Sequence, residues 1–260
     1  MNSEQRTPVG VIILERHGRV RTELKFPLHE QGRYPLTDEA KRGARNVGRK
    51  IVDYLREQNL LLPLTHYGAT LHFAPTPYVR AVETGQQTAL ELHRSLLREG
   101  IRVQTAPLHQ QPKPSLRFLQ TTPLEHYPPA GSTADRMWID LEQRWATGEK
   151  VWRWENKRKA EHRTRTPGRL RQAILNAYTD RQKQGIGARS LPIYAWVSHG
   201  PVTSSEKISE ARSPLGFALK HLLTETERKR FSIPAELARG EAVAAIVYSD
   251  GSVNAKHLKP

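Results

Sequence analysis

The chain has 260 residues, 37% of them hydrophobic, with ordinary Gly and Pro use; it is long enough for one large α/β domain and short for two. It contains no cysteine, which excludes disulfides, thiolate metal sites and thiol nucleophiles, so a nucleophile has to be His, Ser, Thr, Asp or Lys. A formal net charge of +15 directs expectation to anionic partners: phosphorylated compounds, nucleic acid or acidic membrane surfaces. No apolar run approaches the ~20 residues of a membrane span, and residues 1–9 lack the layout of a secretory signal, so a cytoplasmic protein with no membrane span is expected.

Residues Val9 to Leu14 form a continuous apolar run, the pattern of a central strand buried on both faces, and the run ends directly at Glu15-Arg16-His17-Gly18. After a polar stretch, Thr37 reads as the N-cap of a helix with Asp38 and Glu39 in its first turn. Ala40, Ala44, Val47, Ile51 and Leu55 then give that helix one apolar stripe. A second strand is expected at Thr70 to Ala74, followed by a turn with Pro75 and Pro77. A second helix follows from about Val79 to Leu97, with Ala81, Gly85, Thr88, Leu92 and Leu96 on one side and Gly100 as its stop.

Ile101 to Val103 predicts a third strand, and the Pro-rich stretch 107–129 predicts loop. From Ala134 the composition becomes helical, basic and Trp-bearing, which predicts a helical basic insertion over 134–185 within a single domain of residues 1–260. Leu191 to Val197 and Ala242 to Tyr248 are the two clearest late strands, the latter followed by the turn dipeptide Asp250-Gly251. Strands alternating with helices predict an α/β fold: three layers, α/β/α, around a mostly parallel sheet with an antiparallel edge.

In such sheets ligands sit outside the carboxyl ends of the strands. Arg16-His17-Gly18 follows the first strand, Arg80 comes after the second, and Ser198-His199-Gly200 follows the strand ending at Val197. Two guanidiniums with forked donors and two imidazoles converging on one crevice make a site for a tetrahedral anion. Taken singly, each has a plainer reading: a loop-capping His17, a buried strand-end His199, an exposed helix Arg80. The other histidines, such as His29, His66, His72, His93, His126 and His162, show no metal-ligand spacing.

Taken together, the motifs resemble the histidine phosphatase superfamily, which includes the phosphoglycerate mutases. Leu14-Glu15-Arg16-His17-Gly18 is similar to its nucleophile motif and Tyr34-Pro35-Leu36-Thr37-Asp38-Glu39 to its helix start. The segment Ala74 to Thr84 is similar to the one supplying the second phosphate-binding arginine, Val197-Ser198-His199-Gly200 to the second histidine motif, and Ala242 to Asp250 to the closing strand. The resemblance implies a phosphoglycerate mutase-like fold and hydrolysis of a phosphomonoester, on a small molecule or a phosphoprotein, with no cofactor and no metal. His17 would become phosphorylated, Arg16, Arg80, His199 and Gly200 would bind phosphate, and Arg16, Arg80 and His199 would stabilise the transferring phosphoryl group.

The chain departs from the family pattern in its acid. Gln110 falls where strong phosphatases and mutases place a glutamate, and Pro201 follows Gly200 where the other branch keeps an aspartate. Glu83, one turn beyond Arg80, is the remaining candidate for a catalytic acid; it serves equally as a structural pair for Arg80 or as an N-terminal partner of its helix. Arg19-Val20-Arg21-Thr22-Glu23 differs from the mutase run, so phosphatase rather than mutase chemistry is expected. Two other readings stand beside the enzyme: a phosphate-binding or regulatory module with little turnover, and a nucleic-acid or polyanion binder using the basic insertion. Between Arg136 and Lys183 thirteen Lys and Arg face six Asp and Glu, with Trp138, Trp145, Trp152 and Trp154 among them. The tryptophans are expected to pack inward, and the charge to draw anions toward the pocket.

Overall fold

The computed structural model describes residues 6–24, 34–75, 79–105, 166–183, 190–198 and 214–260. In chain order the elements are β1 (Pro8–Arg16), α1 (Asp38–Glu57), α2 (Leu61–Tyr67), β2 (Ala69–Pro75), α3 (Val79–Arg98) and β3 (Val103–Thr105), then α4 (Thr166–Lys183), β4 (Leu191–Ser198), α5 (Pro214–Leu222), α6 (Glu225–Arg230), β5 (Ala242–Tyr248) and β6 (Val253–Leu258). The six strands form one sheet in the order β3-β2-β4-β1-β5-β6. β3, β2, β4 and β1 run parallel, and β5 and β6 close one edge antiparallel, as the alternation of elements predicts.

The unbroken apolar character of β1 follows from its place in the middle of this sheet. Val11 and Ile13 pack on one face with Val47, Ile51 and Leu55 of α1 and Leu92 and Leu96 of α3. Ile12 and Leu14 pack on the other face with Ile174 of α4 and Leu215 and Leu219 of α5. Both faces are therefore covered by helices, which gives the expected three layers. Thr37 caps α1 by accepting from Ala40 N at 3.2 Å, as its position before two acids predicts.

Some elements differ from the sequence expectation. β3 begins at Val103 because residues 99–101 belong to the end of α3: Ile101 N donates to Leu96 O and Gly100 N to Leu97 O, with Gly100 at φ +74°. That is a Schellman ending, and it takes Ile101 out of the strand and into the core. Helices α2, α5 and α6 and strand β6 were not among the expected elements, although α6 carries a readable capping box of Thr224 and Glu227. Of the expected insertion, residues 166–183 form α4; residues 106–165, with the four tryptophans and Gln110, lie outside the described residues. One of its basic side chains has a structural use. Arg171 donates to Leu222 O and Gly251 O, which ties α4 to α5 and to the β5–β6 turn.

Glu15 is the exception inside this core. It lies on the same face of β1 as Ile13, is 1% exposed, and meets Thr88 Oγ1 of α3 at 3.0 Å. The same Thr88 hydroxyl lies 3.1 Å from Ala44 O of α1. The Thr88 hydroxyl donates to Glu15 Oε1 and also lies within reach of Ala44 O, so its one proton is shared between two acceptors. Burial pushes the Glu15 carboxyl well above the usual carboxylate range, and the Thr88 bond opposes it.

Because the folded state holds the Glu15 proton more tightly than the unfolded state does, Glu15's contribution is full below the unfolded carboxylate pKa. It is lost as pH rises toward the raised folded value, at up to about 1.4 kcal/mol per pH unit. In denaturant unfolding from mildly acidic to neutral pH, Glu15→Gln, whose amide stays uncharged and can still accept from Thr88, is expected to gain on wild type as pH rises. Parallel stability profiles for the two proteins would refute a raised Glu15 pKa.

Candidate active site

The site is built where three parallel strands end side by side. In the sheet register Pro75 of β2 pairs with Val197 of β4, and Ser198 of β4 pairs with Arg16 of β1, so their carboxyl ends share one edge. Arg16 is the last residue of β1, His17 and Gly18 follow it directly, and Arg80 is the second residue of α3.

Several contacts fix the backbone at His17. Gly18 N donates to Thr84 Oγ1 at 3.2 Å, and the Thr84 hydroxyl donates to Arg80 O at 2.7 Å, which joins the segment after β1 to the first turns of α3. Gly18 has to be glycine, since a Cβ there would stand 2.7 Å from the Ala40 Cβ at the start of α1. The strand-like segment beyond it pairs with the approach to α1, through the Val20–Leu36 bridge, Thr37 N to Arg19 O and Arg21 N to Pro35 O. On the far side Arg16 N donates to Glu241 O, and Gly240 N reaches Arg16 O and His17 O.

The imidazole of His17 is buried, and its Nδ1 lies 2.8 Å from Gly18 O. A carbonyl only accepts, so Nδ1 carries the proton and Nε2 carries the lone pair. Burial first, then the Arg80 guanidinium, lower the His17 pKa to about 3, with smaller contributions from Arg16 and Arg239; the Gly18 bond acts the other way. His17 is therefore a neutral base with one fixed tautomer. Arg16 donates from Nη1 to Leu237 O at 2.8 Å, and its buried Nε finds no acceptor among the described residues. Burial and the charge of Arg239 lower its pKa while Glu236 and Glu241 oppose them; a guanidinium still stays cationic at neutral pH.

Of the residues expected here, Arg16 and His17 are successive at the end of β1, the Arg80 backbone is linked to Gly18 through Thr84, and the Arg80 and Arg16 charges both lower the His17 pKa. Glu83 lies on the turn after Arg80, and its carboxylate accepts from Leu36 N at 2.6 Å and stands 3.6 Å from Lys41 Nζ. It thus ties the entry to α1 onto α3. His199 and Gly200 lie outside the described residues. Three contributors were not foreseen: Thr84, Glu15 with Thr88, and the loop Leu237–Glu241. Only Gly240, at φ +81°, left a trace in the sequence, as a glycine before a strand. Among the described residues no group of three or more His, Asp or Glu is placed to hold a metal, and no helix is long and apolar enough to cross a membrane.

No protein-family profile and no curated protein sequence matches the chain. Solved structures do resemble it. The mycobacterial glucosyl-3-phosphoglycerate phosphatase is 14% identical, with TM-score 0.40, over 95% of this chain and 96% of that one. The alpha-ribazole phosphatase of Shigella flexneri is 15% identical, with TM-score 0.38, over 96% of each chain. The phosphoserine phosphatase of Entamoeba histolytica, in complex with 3-phosphoglyceric acid, is 13% identical, with TM-score 0.39, over 96% and 97%. These neighbours are phosphatases. At such identities and scores the likeness decides neither substrate nor residue roles, which have to come from the site's own geometry.

The fixed tautomer is open to direct measurement. Nitrogen-15 NMR of imidazole-labelled protein is expected to show His17 as the neutral Nδ1–H form throughout a titration from about pH 7.5 down to about pH 5, where an ordinary histidine with pKa ≈ 6.5 becomes imidazolium. An imidazolium signal at His17 appearing in that interval would contradict the geometry.

Proposed function

We propose that the protein is a phosphatase that hydrolyses a phosphomonoester through a phosphohistidine on His17. The observation that carries this reading is a buried, neutral imidazole whose Nδ1–H is held by Gly18 O, beside a buried guanidinium nitrogen, Arg16 Nε, that has no acceptor among the described residues. A lone pair on Nε2 with cationic donors nearby is what in-line attack on a phosphoryl group requires. The fold and the phosphatase neighbours agree with the reading at the level of class.

In this reading Nε2 of His17 forms a bond to phosphorus as the ester P–O bond breaks and the leaving oxygen departs with its electron pair. Water then cleaves the N–P bond and returns the imidazole to its neutral form. The transferring oxygens carry negative charge throughout, and Arg16 and Arg80 stabilise it without moving. The Gly18 carbonyl holds the Nδ1 proton and so stabilises the positive charge that develops on the ring when Nε2 is phosphorylated. His199 and Gly200 follow Ser198, the register partner of Arg16, and His199 is assigned as the further stabiliser on that basis.

Leaving-group protonation is the weak part of this site. Glu83 was the candidate acid, but its carboxylate is engaged with Leu36 N and Lys41, so we assign it a positioning role; Gln110 has no titratable proton. That combination favours fast turnover only for esters with good leaving groups, and it is the observation behind the second reading, a phosphate-binding module with little turnover on alkyl esters. The nucleic-acid reading keeps its basis in the charge of the insertion alone.

Wild type is expected to release para-nitrophenol from para-nitrophenyl phosphate, to form a phosphoenzyme that is acid-labile and alkali-stable, and to lose both in His17→Ala, with kcat/KM falling about 10³-fold or more. Wild type that binds orthovanadate but releases no product establishes the module instead. Undiminished activity in His17→Ala would eliminate the phosphohistidine route.

A further inference from the structure

The loop before β5 is held by a side chain from the last strand of the sheet. Glu241 N donates to Ala238 O at 3.0 Å, which closes a β-turn over residues 238–241 with Gly240, φ +81°, at the third position, where a type II turn needs a positive φ. The Glu241 carboxylate fastens the same turn a second time: its Oε2 accepts from Ala238 N at 2.8 Å and lies 3.0 Å from Nε2 of His257 on β6. An ionised carboxylate only accepts, so Nε2–H of His257 is the donor of that contact.

The segment Leu237–Glu241 grips Arg16 at its backbone and at its guanidinium. Arg16 N donates to Glu241 O at 2.9 Å and Arg16 Nη1 to Leu237 O at 2.8 Å, while Gly240 N reaches Arg16 O at 3.1 Å and His17 O at 3.3 Å. The bond to Leu237 O fixes one arm of the guanidinium and leaves its buried Nε with no acceptor among the described residues. Besides burial, the groups that act on the Arg16 charge all lie in or beside this segment: Arg239 lowers its pKa, and Glu236 and Glu241 raise it. The turn therefore sets both where the guanidinium lies and how it is oriented.

The side chains of His257 and Glu241 are only 16% and 15% exposed, so their contact is weakly screened and water does not readily take its place. β6 is anchored independently of it: Lys256 Nζ donates to Glu57 Oε1 of α1 at 2.7 Å, and Lys50 Nζ of α1 to Lys259 O at 2.8 Å. β6 thus acts as a fixed post against which the turn is braced. We propose that His257 is a positioning residue: through the Glu241 carboxylate it holds Leu237–Glu241 against Arg16 and so keeps the guanidinium aimed at a phosphoryl oxygen. The proposal rests on the phosphatase reading and adds to it a residue that touches neither substrate nor nucleophile.

Calorimetric titration of the full-length chain with orthophosphate tests this without needing turnover, with thermal melts to check that each variant is folded at the titration temperature. His257→Leu keeps an apolar body on a sheet face shared with Val253 and Ala255 but has no donor, and it is expected to bind orthophosphate about tenfold more weakly than wild type. His257→Gln places its amide Nε2 as many bonds from the backbone as the imidazole Nε2, and it is expected to recover most of the lost affinity. In a Glu241→Ala background, His257→Leu is expected to weaken binding no further, because the histidine acts through that carboxylate. A pair that served stability alone would lower the melting temperature and leave the affinity of the folded protein unchanged.

Should His257→Leu not fold, Glu241→Ala alone carries the test, with the same loss expected. Wild-type affinity in the folded variant, no recovery in His257→Gln, or a further loss in the Glu241→Ala background overturns the positioning role and leaves the phosphatase reading standing. Failure of wild type to bind orthophosphate at all overturns both.

Discussion

Gly18 N donates to Thr84 Oγ1 of α3 while Gly240 N donates to the carbonyls of Arg16 and His17 from the opposite side, so the three residues that carry the imidazole are held between a helix and a loop. The remaining geometry of the site follows from this grip. It aims the Gly18 carbonyl at His17 Nδ1, and that choice of partner decides which ring nitrogen keeps its lone pair. It also requires the residue after the histidine to have no side chain, because α1 begins directly against it. The same hydroxyl of Thr84 ties the peptide of Arg80 into the assembly, so the second guanidinium and the imidazole are positioned by one shared contact.

The electrostatics of β1 are organised around charge that is allowed and charge that is suppressed. Three successive residues at its end, Glu15, Arg16 and His17, are all ionisable, and burial raises the pKa of the carboxyl and lowers those of the guanidinium and the imidazole. Burial favours the neutral form of both the carboxyl and the imidazole, while the Thr88 and Gly18 hydrogen bonds oppose it. An ionised Glu15 would stand next to Arg16 and two residues from His17, and burial works against that charge.

Buried donors such as Arg16 Nε are expensive to leave unsatisfied, so an acceptor beside that nitrogen would be stabilising. Part of the basic excess of the chain is structural by the same criterion. Arg171 is engaged with two backbone carbonyls and so belongs to the scaffold and not to any binding surface.

Much of this protein was legible in one dimension. The apolar run of β1, the Thr37 cap, the stripes of α1 and α3 and the runs of β4 and β5 are short-range periodicities, and periodicity is a local property that survives the loss of every tertiary contact. From it followed a mostly parallel sheet and the placing of Arg16, His17 and Arg80 at strand ends and a helix start. Glu83 shows the limit: its spacing from Arg80 fitted three roles, and its contacts with Leu36 N and Lys41 give it a fourth, tying the entry to α1 onto α3. The burial that lowers the His17 pKa, the raised pKa of Glu15 and the approach of the loop Leu237–Glu241 to Arg16 were likewise decided by the tertiary structure. The His17 tautomer is set by its own neighbour Gly18, but burial and contacts such as Thr88–Glu15, 73 residues apart, and Arg16–Leu237, 221 apart, are recorded in no local pattern.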